Sequence, residues 1–139
     1  MSPPTKIDLR YRRVDRIDDI VDLVEMLFPG NRNQQYAAAH ILLALKRARG
    51  LTPSLGQLQH CHGVSRRTLE RTRAKLSRLG LIERVTWMNS RYGGRQGWKL
   101  SGRMTAALRR LADKIDQWRT DTRPDRMEKD DVLVNLLRP

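Results

Sequence analysis

Cysteine is nearly absent from this 139-residue chain, with Cys61 the single example. A lone thiol excludes an internal disulfide framework and suits a reducing compartment, so the cytoplasm is the expected location. No stretch approaches the roughly 18 apolar residues that a membrane-crossing helix needs, and the first residues lack the apolar block of a secretion signal. Neither membrane insertion nor export is expected. Also missing are a glycine-rich phosphate loop and a serine or cysteine nucleophile motif. The carboxylates gather at 15–25 and 121–131, in segments patterned as surface helix faces, so no catalytic group, enzyme activity or cofactor is expected. Global disorder is not expected either, because periodic apolar segments recur along most of the length.

The excess is positive charge: 28 Lys and Arg against 15 Asp and Glu, a formal net charge of +13. It is local. Residues 65–103 hold eleven basic and two acidic residues, whereas the first 32 residues balance at six of each. Residues 105–139 nearly balance, at eight against seven. A concentrated patch of this kind is the footprint of a polyanion partner rather than general solubility tuning. Arginine dominates it, and its planar fork suits phosphate and guanine edges.

The patch begins in a well-marked helix. Over 66–79, Leu69, Thr72, Leu76 and Leu79 share one face, and Arg67, Glu70, Arg71, Ala74 and Arg78 point the other way. Ser65 is placed as its N-cap, and Gly80 suits the left-handed position just past its end. Upstream, residues 1–14 read as a flexible polar arm carrying Pro3-Pro4. A helix is expected over 15–28 from Ile17, Ile20, Val21, Val24, Leu27 and Phe28, stopped by Pro29-Gly30-Asn31. A second, apolar almost all round, should run over 34–49, capped by Asn33 and ended by Gly50, as the central core helix. Thr52 or Ser54 can cap a short helix over 55–60, and His62-Gly63-Val64 turns into the arginine-rich helix.

Downstream, residues 81–88 and 96–100 read as two strands. Gly93-Gly94 forms the hairpin tip, and Trp87 and Trp98 pack across the hairpin or on the core. Ser101 can cap a last long helix to about 119, in which Met104, Leu108, Leu111, Ile115 and Trp118 alternate by four and three. Residues 121–139 form a tail or a short helix after Pro124. The expected architecture is mainly α with a small β-hairpin. Its domain spans 15–120 around a core module at 33–104, with flanking N- and C-terminal helices.

This order resembles the winged helix-turn-helix fold, with a local match to bacterial regulators of the MarR and GntR type. The residues that carry the resemblance are Pro53-Ser54, Leu58, Gly63, Val64-Ser65, Leu69, Leu76, Leu79-Gly80-Leu81-Ile82 and Lys99-Leu100-Ser101. It covers roughly 34–105 and is specific to the superfamily. Gln59, where a small alanine is usual, and His62, at a usually apolar site, depart from the pattern.

A recognition helix enters a major groove about 12 Å wide, and its first turns must read base edges. Arg66, Arg67, Glu70 and Arg71 are the expected readers, with Glu70 equally suited to holding a neighbouring arginine in place. Ser65, Thr68 and Lys75 join them on the recognition helix, the two hydroxyls suited to phosphate oxygens. Ser54 and Gln57 are expected at the DNA backbone, and Arg91, Tyr92 and Arg95 at the hairpin tip, in a minor groove or on phosphates. His60-Cys61-His62 suggests a metal, but consecutive helical residues diverge by about 100°, so no metal site is expected. Cys61 reads as a small partly buried thiol, or, by the resemblance, as a redox sensor.

The resemblance implies a homodimer through 15–28 and 103–119, against the alternative that both helices complete a monomeric core. The expected function is sequence-specific binding of double-stranded DNA. The chain is read as a nucleoid-associated transcriptional regulator on a pseudo-palindromic operator. A plasmid or phage replication or partition protein is the alternative, and an RNA-binding or protein-adaptor winged helix a more distant one. No residue pattern names a small-molecule effector.

Overall fold

Three short polar side chains set where three helices begin. Asp19 accepts a hydrogen bond from the Asp22 amide, Asn31 from the Gln34 amide and Ser65 from the Thr68 amide. The computed structural model describes residues 5–86 and 96–139. It is mainly helical, with seven helices and a two-stranded antiparallel sheet among the described residues. The helices are α1 (Tyr11–Asp15), α2 (Ile20–Leu27), α3 (Arg32–Arg47), α4 (Gln57–His62), α5 (Arg66–Leu79), α6 (Arg103–Thr120) and α7 (Pro124–Asn135). The strands are β1 (Ile82–Val85) and β2 (Gly97–Leu100), paired with Ile82 opposite Leu100 and Val85 opposite Gly97. The chain divides into two units, Met1–Met104 and Thr105–Pro139.

In the first unit α3 is the central element, as its all-round apolar character implies. Ala37, Ala38, Ile41, Leu42 and Leu45 are buried on it, between α2 (Val24, Met26, Leu27) and α5 (Leu69, Thr72, Leu76). Leu27, Phe28, Ile41, Leu76 and Ile82 are almost wholly enclosed. Each such side chain contributes roughly 1.5–3 kcal/mol by leaving water. Among the described residues the Thr72 and Ser77 hydroxyls are buried without a hydrogen-bond partner.

Several boundaries differ from expectation, for local reasons. The helix expected over 15–28 begins at Ile20, because the Asp19 carboxylate captures the Asp22 amide. Asp15 instead ends α1, in the segment expected to be a loose arm. From Ile7 onward that segment lies on the body: the Asp8 amide donates to the Met26 carbonyl at 2.9 Å, and Ile7 packs on the core. Arg13 ties α1 to α2, reaching Glu25 at 2.8 Å. Asn31, not Asn33, caps α3, and the helix ends at Arg47, before Gly50. Helix α4 starts two residues later than expected, since Ser54 bonds the Gly56 amide and leaves α4 without a side-chain cap.

The turn after α4 follows the sequence closely, with Gly63 left-handed at φ 64°. Gly80 closes α5 at φ 84°, and a Cβ there would lie 2.9 Å from the Met104 amide nitrogen. Only glycine lets the start of α6 dock so closely, with the Met104 amide donating to the Gly80 carbonyl at 3.0 Å.

Thr52, read as a helix cap, pairs instead with Trp98 as an isolated antiparallel bridge. Its amide donates to the Trp98 carbonyl at 2.9 Å and its carbonyl accepts from the Trp98 amide at 2.8 Å. Gly97 permits the approach, since a Cβ there would sit 2.7 Å from the Thr52 carbonyl oxygen. The expected hairpin tip, with Trp87, Arg91, Tyr92 and Arg95, lies outside the described residues.

The second unit holds the rest of α6 and α7. Asp121 accepts from Arg123 at 2.8 and 2.9 Å across the turn, and Pro124 opens α7, where its missing N–H costs nothing. No helix among the described residues is long and apolar enough to cross a membrane.

Candidate nucleic-acid interface

Helix α5 buries one stripe and presents the rest. Arg66, Arg67, Glu70, Arg71 and Ala74 are exposed, in the order its apolar spacing dictates. They differ in what holds them. Arg66 Nε donates to Glu70 Oε1 at 3.0 Å, one turn along the helix, with both side chains more than half exposed. Such a pair is worth about 0.3–0.5 kcal/mol, so it aims Arg66 without committing it. No hydrogen bond or ion pair among the described residues engages Arg67 or Arg71. Two guanidiniums four residues apart therefore face solvent on one side of α5, and Ala74, a turn beyond Arg71, adds no bulk.

Ser65 and Thr68 are bound to each other. The Thr68 amide donates to Ser65 Oγ at 3.1 Å, and the Ser65 hydroxyl donates to Thr68 Oγ1 at 2.9 Å. The cap therefore uses the Ser65 proton and leaves the Thr68 hydroxyl proton available. Ser54 is exposed with its oxygen on the Gly56 amide, and Gln57 is exposed at the start of α4.

Lys75 is placed elsewhere than its membership of the reading helix implied. Its ammonium donates to the Lys6 carbonyl at 2.7 Å and lies 4.4 Å from the Phe28 ring centroid. Burial, then the nearby Arg78 charge, hold it below its ordinary value. It ties the N-terminal segment to α5. Arg78 is exposed and reaches Thr5 Oγ1 at 3.4 Å.

The sheet is anchored to α5 and α6 through charge. Arg73, half-buried on α5, stacks over Trp98 at 5.0 Å from the ring centroid. Glu83 on β1 meets Lys99, its cross-strand neighbour, at 3.0 Å and Arg103 at 3.2 Å. The Lys99 hydrogen bond is the main reason that its carboxyl lies below the usual range, with Arg103 and Ser101 adding to it against the opposing effect of burial.

The departure at His62 has a structural partner. Its ring stacks on His40 of α3 with centroids 3.6 Å apart, and Tyr36 meets His40 edge-on at 4.6 Å. Burial first, then the His62 and Arg47 charges, push His40 below its ordinary value of 6.5. Cys61 is exposed, where a partly buried thiol was expected. Among the described residues no group of three or more His, Cys, Asp or Glu side chains is disposed to hold a metal ion.

A cleft of about 350 Å³ opens beside the first turn of α5, between it and the start of α3. Arg32, Asn33 and Tyr36 line it from α3, with Ser65 and Thr68 opposite. None of these α3 residues was a sequence candidate, because nothing in the local pattern tells which side chains of a core helix will border the turn. The apolar face of α2, expected at a dimer interface, is largely spent inside the first unit: Val24, Met26 and Leu27 are buried, and Ile20 and Leu23 pack on the core. On α6, Leu108, Leu111, Ile115 and Trp118 are 38–67% exposed.

Compared with protein-family models, with curated proteins and with solved structures, the chain matches none.

Proposed function

We propose that this chain binds double-stranded DNA sequence-specifically as a winged helix-turn-helix module, in the cytoplasm, and regulates transcription from a pseudo-palindromic operator as a homodimer. The observation that carries the reading is the outer face of α5. Arg67 and Arg71 stand exposed, without a hydrogen bond or ion pair among the described residues, on a helix that follows a short helix and a left-handed glycine turn. The sheet supports it, since Thr52 joins β2 as the bridge that a three-stranded winged module needs. A guanidinium can bind guanine O6 and N7 together, and each such pair is worth roughly 1–3 kcal/mol of discrimination.

The contact set is narrower than the arginine count suggests. Arg67 and Arg71 read bases, Arg66 joins them after leaving Glu70, and Lys75 takes no part. For the dimer, the support lies on α6, where the four-and-three spacing of Leu108, Leu111, Ile115 and Trp118 is a seam that a second copy of itself complements. Arg67→Ala and Arg71→Ala each lower affinity for the preferred duplex about tenfold or more, with little change in thermal stability. Titration of preferred and scrambled duplexes checks this. Undiminished preference in the double variant sinks the reading.

A further inference from the structure

The cleft between the start of α3 and the first turn of α5 is bordered by several polar side chains from both helices. We propose that it seats a backbone phosphate of the bound duplex, on the strand that borders the groove α5 enters. The proposal rests on the duplex-binding reading and adds residues outside the recognition helix to it.

Among the described residues the polar side chains around the cleft offer hydrogen-bond donors, and no carboxylate lines it. Arg32 is exposed, with no ion pair or hydrogen bond among the described residues. Tyr36 is 48% exposed, and its hydroxyl makes no hydrogen bond among the described residues. Across from them the Thr68 hydroxyl keeps its proton, because Ser65 donates to it rather than the reverse. Asn33 adds an exposed amide. A charged guanidinium, an amide and two hydroxyls bordering one opening match the acceptor-only oxygens of a phosphodiester.

Location favours a strand phosphate over a free anion. Thr68 stands one residue from Arg67 on the same turn, so a phosphate in the cleft lies beside the bases that α5 reads. Helix α3 is packed on α5 through the core, which holds Arg32 and Tyr36 in fixed register with the reading face. A contact of this kind sets position and carries no sequence information.

The test uses the full chain with two duplexes, its preferred site and a scrambled one, titrated across salt concentrations. Arg32→Gln weakens both duplexes by the same factor, roughly tenfold, and lowers the salt slope by about one. Arg32→Lys keeps the slope. Tyr36→Phe weakens both duplexes equally and leaves the slope unchanged. Thermal unfolding of each variant matches the wild type, as expected for exposed side chains. Wild-type affinity and slope in Arg32→Gln overturn the seat while leaving the duplex reading standing. So does a loss confined to the preferred duplex, which makes Arg32 a base reader. If the wild-type chain binds neither duplex, the duplex reading falls and the seat with it.

Discussion

Arg66 and Arg67 are neighbours in the sequence and differ in circumstance. One is held by Glu70 a turn away, and the other faces solvent. Helical spacing made that difference legible, since it places residue 70 one turn from 66. The opposite holds for Lys75 and His62, whose partners lie far along the chain, at Lys6 and Phe28 and at His40. Pattern along one helix carries no information about such contacts. The His40–His62 stack has a consequence for pH. Burial and the neighbouring positive charges disfavour protonated His40 in the folded chain, so the unfolded chain binds the proton more readily. The contribution of His40 is complete above its ordinary value of 6.5 and is lost as pH falls below it toward the folded value. Thermal unfolding followed from pH 7.5 to 5.5 should show a decline in melting temperature that His40→Gln flattens. An identical pH profile in the variant contradicts this.

Among elements, α5 was the most legible, because cap, stripe and closing glycine agree with one another. Ser65, Leu69, Leu76 and Gly80 all stand where the sequence placed them. The start of α2 was less so: five acids between 15 and 25 give several candidate caps, and only backbone geometry selects Asp19. The role of Thr52 was hidden for another reason. A single bridging residue has no periodicity, and its partner Trp98 lies 46 positions away in sequence. Within α5, Thr72 carries a wholly buried hydroxyl with no hydrogen-bond partner among the described residues. Replacing it with valine keeps the shape and removes an unsatisfied polar group, so Thr72→Val should stabilise the chain by about 1 kcal/mol. Chemical denaturation measures this directly. A loss of stability means that the hydroxyl has a partner after all.

At the scale of the whole chain, the concentration of charge in 65–103 was legible from composition alone, and it coincides with the exposed face of α5. The fate of the flanking helices was not, because an apolar stripe looks the same whether its own unit or a second copy covers it. The stripe of α2 serves its own core, and that of α6 stays exposed. If α6 forms the proposed dimer seam, replacing Ile115, 52% exposed in the wild-type chain, by Asp should shift the protein from dimer to monomer in analytical ultracentrifugation without loss of helical content. A dimer of unchanged strength places the interface elsewhere. The most direct measurement is selection of bound sequences from a random pool of double-stranded DNA by the full chain. Sequence-specific reading by α5 predicts an enriched motif, arranged as two inverted half-sites whose centres lie about one helical turn apart, 10–10.5 base pairs. A bound pool with no enrichment over the input contradicts it.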